Sequence, residues 1–396
     1  MWAYFKWEFR QFFTNKKNIA VYVILLFLAI YFALKVAPSY DPIEKVDVAE
    51  MEARFATRDD FIKSVEGKSQ LYPSVAYALA IFPQWNEYDK ARIEAIGEKD
   101  YLKYAEATVG WYKYSDQIIF NGGLFFYNPL YYTFGNSYAH ADGHFGYGYT
   151  GSRFAGYVEG DSKLSIELFE ERTALQTLQR LLNSYLPIVL FISCIFFSVD
   201  IVLKDRRYPS LLKGFPIADW KKLLMKGVVA FIGSILSFVP LCVGFIIIGL
   251  QNDFGDFSLP VPIYSYIEET FSNMTMGTFM LKNALFISVW FLFFIAIVLF
   301  LSIIVKAEFV NLFVSLLVIA AEWIYFERVM GAYTDIQLYP TSYVQVGQVI
   351  SGYRNFVYES PYLTYQSGLI IVGSCTLILM ILTWIVSHFN RFKLIA

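Results

Sequence analysis

Six apolar runs, each close to the length that crosses a bilayer, constrain this chain more than any other feature. They lie at about 18–37, 185–203, 227–250, 283–305, 309–326 and 368–389. A transmembrane helix needs about 20 such residues, and its backbone must bond to itself where there is no water. Only 17% of the residues are charged, against 57% hydrophobic; a soluble domain carries about 25% charge. Because the apolar residues are gathered into blocks, the expected fold is an all-α polytopic membrane protein with six transmembrane helices.

Charge orients the runs. Lys6, Arg10, Lys16 and Lys17 against Glu8 precede the first run, and residues 204–226 hold seven bases against Asp205 and Asp219. Arg391 and Lys393 follow the last run. The opposite side is acidic: residues 38–184 carry 14 basic and 21 acidic side chains, and 251–280 carry Asp253, Asp256, Glu268 and Glu269 with no base. Short basic loops stay in the cytoplasm, so both termini are expected inside a cell membrane, taken here as a bacterial plasma membrane. Three regions follow: 1–37, an interfacial elbow helix and the first span; 38–184, a mainly helical extracellular domain inserted between spans one and two; and 185–396, the remaining five spans.

"MWAYFKWEFRQFF" spaces Trp2, Phe5, Phe9 and Phe12 by three or four residues, a stripe suited to a helix lying in the membrane interface. In the insertion, 43–68 and 86–108 have helical charge patterns. Residues 161–183 read as a helix continuing toward span two along Leu164, Leu168, Leu175, Leu178 and Leu182. The aromatic, Gly-rich stretch 117–158 reads as loops or short strands, and its tyrosines form a candidate binding surface. Within it, His140, Asp142 and His144 are conceivable metal ligands, but a fourth ligand is missing and a polar loop is the preferred reading. No metal or other cofactor is expected on this chain. Cys194, Cys242 and Cys375 fall in apolar runs and read as packing residues.

"DRRYPSLLKGFPIADWKKLLMK", 205–226, is a basic corner punctuated by Pro209, Gly214 and Pro216. Each proline suits a first helical turn and the glycine a helix end. Leu211, Leu212 and Phe215 are apolar residues set among charges, as a knob that docks into a protein cleft would be. Alone, the segment is equally a topology signal.

Taken in order, the N-terminal helix, "RRYPSLLKGFPIADWKKLLMKGVVAF", the tight "IVKAEF" turn and "YPTSYVQVGQVISGY" at 339–353 resemble the permease subunits of ABC-2 type ABC transporters, over about 60% of the chain. The large insertion fits the subset of that family with a domain between spans one and two. The resemblance implies a coupling helix at about 205–216, with Arg206, Arg207, Leu211, Leu212, Lys213 and Phe215 contacting a cytoplasmic ABC ATPase. It implies two ATPase copies, which bind the ATP and Mg, and a second permease protomer, either identical or a close homologue.

The chain has no phosphate loop of its own. Gly67–Lys68–Ser69 has Ile62 where the motif needs glycine, so this is not expected to be an ATP-hydrolysing enzyme. The expected role is export of an amphipathic or hydrophobic substrate: a peptide such as a bacteriocin or pheromone, or a lipid-like antibiotic, with antimicrobial resistance as one outcome. Phe191, Phe196, Phe197, Glu322, Trp323 and Tyr325 are candidate path residues, with core packing as the competing reading. Asp200 and Glu322 are acids at the ends of spans two and five. The alternatives are an ABC-linked mechanotransmission or sensor protein acting through its outer domain, and an ATP-independent membrane enzyme. No nucleic-acid partner is expected at a net charge of −2.

Overall fold

A computed structural model of the chain describes residues 1–68, 70–204, 217–328 and 335–389. The principal helices are α1 Trp2–Thr14, α2 Lys16–Tyr31, α3 Val48–Val65, α4 Pro73–Glu98, α5 Tyr101–Gly122, α6 Ala139–Glu159, α7 Ala174–Leu182, α8 Leu186–Ser198, α9 Asp219–Leu236 and α10 Phe238–Asn252. A hairpin of β1 Pro260–Ser265 and β2 Thr270–Thr275 follows, then α11 Met276–Ile304, α12 Glu308–Tyr325 and α13 Tyr365–Val386. The chain divides into two compact units. The apolar unit is Met1–Ser39, Thr177–Phe254 and Met280–Ala396; the inserted unit is Tyr40–Gln176 with Gly255–Phe279.

Among the described residues, five helical stretches are long and apolar enough to cross a membrane: Lys16–Val36, Asp219–Asn252, Met276–Ile304, Glu308–Tyr325 and Tyr365–Val386. The chain is thus a multi-pass membrane protein. The run expected at 185–203 is the exception. Its helix α8 has 13 residues, and it makes a sixth span only when joined to the bent stretch Ile166–Leu182 before it. The run at 227–250 lies in the 34-residue stretch of α9 and α10, broken at Ser237, whose hydroxyl donates to the Ser234 carbonyl. Pro240, in the first turn of α10, has no backbone donor to continue α9 past that break.

Helix α1 turns inward a face that shares Phe12 with its aromatic stripe but leaves the stripe's start outside. Tyr4, Glu8 and Phe12 are buried, whereas Trp2 and Phe9 are exposed. Phe12 packs on Phe197 and over Gly233, where a Cβ would lie 2.2 Å from its ring. Asn15 ends α1 and caps α2, its side chain accepting from the Lys17 backbone N–H at 3.1 Å. The α2 and α10 backbones then approach closely, because Gly244 faces the Ala29 carbonyl. Helix α11 carries the aromatic core: Trp290, Phe291 and Phe294 pack around Phe191. Of the three cysteines, Cys194 is buried in this core, while Cys242 is exposed and Cys375 half-buried.

The inserted unit corrects the reading of 117–158 as loops or short strands. Helix α5 runs to Gly122 and α6 occupies Ala139–Glu159. Glycine lowers helix propensity by about 1 kcal/mol per residue, so tertiary packing holds α6 in place. A Cβ at Gly143 or Gly146 would lie 2.2 Å from Tyr127 or Tyr131, and one at Gly156 would lie 2.4 Å from Pro260 of β1. The glycines admit rings and the hairpin against the helix backbone. Residues 255–279 therefore complete this unit: β1 and β2 pair antiparallel, and Asn273 donates to the Ser152 carbonyl of α6. The expected continuous helix over 161–183 is broken. It becomes a short turn at Ile166–Phe169 and then α7, with Glu171 between them at φ 55° and ion-paired to Arg153.

Candidate functional site

A cavity of about 750 Å³ lies within the inserted unit. Helical spacing assembles it. Glu50, Arg54 and Arg58 recur every four residues on α3; Phe82, Trp85 and Arg92 share a face of α4; Trp111, Tyr112, Ser115 and Ile119 come from α5. The loop after Gly123, which leaves α5 through a left-handed turn, adds Phe125 to Leu130, and Tyr147 closes it from α6. Tyr112, Ile119, Tyr127 and Tyr147 form a buried aromatic wall.

Cations sit against rings here. The Arg58 guanidinium lies 5.1 Å from the Trp85 ring, and Arg54 and Arg92 lie 5.7 and 5.5 Å from that of Trp111. Asp89, fully buried behind them, accepts from Arg58 at 2.7 Å and from Arg92 at 3.4 Å. Trp85 Nε1 donates to the Ser115 hydroxyl at 2.7 Å, which fixes the indole. The Nε donors of Arg54 and Arg92 and Nε1 of Trp111 are buried and have no acceptor. Glu44 accepts from the Tyr131 hydroxyl. Burial pushes its carboxyl above the ordinary range, against the hydrogen bond from Tyr131 and the charges of Arg92, Arg153 and Arg54. Burial also raises the phenols of Tyr127 and Tyr147.

The residues 140–144 do not gather round one point. Asp142 accepts from the Thr133 and Phe134 backbone N–H groups and the Thr133 hydroxyl, whereas His140 and His144 pack on Phe120 and His144 bonds Asp116. Among the described residues, no group of three or more His, Cys, Asp or Glu is placed to hold a metal ion.

The coupling residues Arg206, Arg207, Leu211, Leu212, Lys213 and Phe215 lie outside the described residues. The path residues are dispersed. Phe191 is buried against α11, and Phe197 packs on Phe12 and Tyr22. Phe196 and Trp323 are exposed, and Tyr325 bonds Thr341 and Ser342. Glu322 is not solvated at a helix end: it is buried, ion-paired to Arg354 and bonded by the Tyr358 hydroxyl. Asp200 accepts from Lys17 at 2.5 Å. A separate apolar groove of about 340 Å³ opens between α9, α11 and α13, with Trp220, Val228, Leu299 and Trp384 in its lining.

Two features were missed in the sequence. One is the Arg–Trp cavity, whose signal was the four-residue spacing on α3 and the three- and seven-residue spacing on α4. The other is the ion pair between Glu8 of α1 and Lys226 of α9, 2.5 Å apart and essentially inaccessible. By sequence Lys226 is one of the seven bases of 204–226 and reads as a topology charge. No protein-family model matches the chain, and no curated protein or solved structure matches it.

Proposed function

We propose that this chain is the permease subunit of an ATP-driven ABC exporter that moves an amphipathic or hydrophobic substrate, with ATP hydrolysed on a separate cytoplasmic subunit. The observation that carries the reading is the Glu8–Lys226 pair. The basic segment 205–216 leads within three residues into α9. The buried pair joins α9 to α1, and Asn15 joins α1 to α2 through its cap. A load on the basic segment would thus pass along α9 into α1 and the first span rather than dissipate in a loose loop. The apolar groove beside α9 offers room for a hydrophobic body, and the inserted unit, proposed to lie outside, offers a site for an amphipathic one.

The test is co-expression with an ABC ATPase, sought first in the adjacent reading frame. The two should co-purify, with ATP hydrolysis stimulated by the permease. Leu212→Asp should abolish the stimulation without loss of expression, because an unpaired charge at an apolar contact costs roughly 2 kcal/mol or more. Normal stimulation in that variant, or no association with the ATPase, would overturn the proposal. The cavity favours a second reading, in which the same assembly senses a ligand instead of carrying it. Substrate export that persists after the cavity is blocked would separate the two.

A further inference from the structure

We infer that the cavity of the inserted unit binds a monoanionic carboxylate carried on an aromatic or branched aliphatic body, as at the free C-terminus of a short apolar peptide. This deepens the exporter reading by naming a substrate class, and it rests on that reading for its place in transport.

Three observations carry it. First, the polar end is already built. Arg92 is only 5% exposed, and its Nε donor has no acceptor. Arg54 and Arg92 lie against the same Trp111 ring, and Lys45, Arg54 and Arg58 join Arg92 in the lining, so one end of the cavity is cationic. A carboxylate oxygen accepts charge-assisted bonds from such groups.

Second, the charge count selects a single negative charge. Lys45, Arg54, Arg58 and Arg92 face Glu44 and Glu50 in the lining, and Asp89 behind the wall is shared by Arg58 and Arg92. The surplus of one positive charge matches a carboxylate and is too small for a phosphate dianion.

Third, the remaining walls are rings. Tyr112, Phe125, Tyr127 and Tyr147 offer faces and edges to an aromatic or branched side chain. The volume falls within the range of about 300–1,000 Å³ typical of small-ligand sites. Asn128 and Ser115 in the lining offer polar contacts to a peptide backbone that an alkyl chain would leave unused.

Isothermal titration of the full-length chain in detergent, with no ATPase present, tests this. The probes are N-acetyl-leucyl-phenylalanine, its C-terminal amide, N-acetyl-phenylalanine and phenyl phosphate. The free acid should bind at least roughly tenfold more tightly than the amide, the size of effect expected of one or two charge-assisted hydrogen bonds. Arg54→Gln should weaken binding of the acid far more than that of the amide and so remove most of the preference. Arg54 is partly exposed, so the variant is expected to fold, and the acid–amide comparison needs no variant. Dipeptide binding stronger than that of N-acetyl-phenylalanine would support a peptide end, and equal binding would support the carboxylate and reassign its source to a smaller aromatic acid. Equal affinity for acid and amide, tighter binding of phenyl phosphate, or no binding of any probe would overturn the inference. A missing ATPase partner would leave this result standing, and a failure here would leave co-purification with the ATPase standing.

Discussion

In the inserted unit, Arg58 and Arg92 share the buried Asp89 while lining a cavity of about 750 Å³; in the apolar unit, Glu8 and Lys226 are buried to 3% and 0% exposure where α1 meets α9. Both arrangements remove charge from water, which is expensive unless the charges are paired. The inserted unit keeps donors in reserve around Trp111, and its aromatic walls leave open space. The apolar unit commits its charges to joining helices: Glu8 to Lys226, Lys17 to Asp200, and Glu322 to Arg354 and Tyr358. Buried charge alone therefore does not identify a binding site. What distinguishes one is a set of cations and rings that line a space large enough to hold a ligand.

The largest effect should come from breaking one joint in the apolar unit. Lys226→Met strands the Glu8 carboxylate and should lower stability by about 3–5 kcal/mol. Adding Glu8→Met should recover most of that loss, since a well-packed apolar pair replaces an ion pair at little cost. Thermal unfolding in detergent, followed by loss of the monodisperse peak, reads both variants. A single substitution that changes nothing would show the joint to be solvated and erase the contrast.

Packing against α6 comes next. Gly143→Leu drives a side chain into the Tyr127 ring and should cost about 1–3 kcal/mol. Gly97→Leu on α4, where nothing lies within 4 Å, is the control and should be neutral or slightly stabilising. The same melts, with fragmentation by a protease added, show whether the inserted unit alone is loosened.

Arg54→Gln should separate the two roles of charge most sharply. Its partner Glu50 is exposed, so the stability change should stay within about 1 kcal/mol. Affinity for a carboxylate ligand should nevertheless fall roughly tenfold. A stability loss comparable to that of Lys226→Met would make Arg54 a joint like those of the apolar unit.

The smallest effect is one of pH. Glu44 faces Tyr131 from the turn at Pro129–Tyr131, Arg54 from α3, Arg92 from α4 and Arg153 from α6. Its folded pKa lies above the ordinary 4.5, so between the two values the folded state holds the proton and the unfolded state does not. The stability it contributes is complete below about pH 4.5 and declines as pH rises through the folded value. Glu44→Gln should flatten that slope in a series of melts at stepped pH, and an unchanged slope would remove Glu44 from the account.

Much of the apolar unit was legible in advance because a bilayer imposes its rule locally. Twenty apolar residues must form a helix whatever surrounds them, and most of the spans appear near their expected places. The second appears in its place only as the short α8, which reaches spanning length when joined to the bent stretch before it. In α1 the aromatic stripe was visible, but the face that packs was not, since Glu8 becomes an inward residue only when Lys226 meets it. The inserted unit hid more. His140, Asp142 and His144 alternate along the chain like a ligand set, yet Asp142 spends its carboxylate on the Thr133 and Phe134 backbone.

The sequence by itself determined the segmentation into apolar runs, the length of the insertion and the alternation of basic and acidic loops. These follow from hydrophobicity and charge counted along the chain. Only the tertiary structure decided that the Gly–Tyr stretch is a helix, that the hairpin at 260–275 completes the inserted unit, and that Arg54, Arg92 and Trp111 share one cavity. The physical reason is that glycine disfavours a helix locally and favours close packing globally. A guanidinium likewise becomes a binding group or a structural joint according to which ring, carboxylate or open space the fold sets beside it.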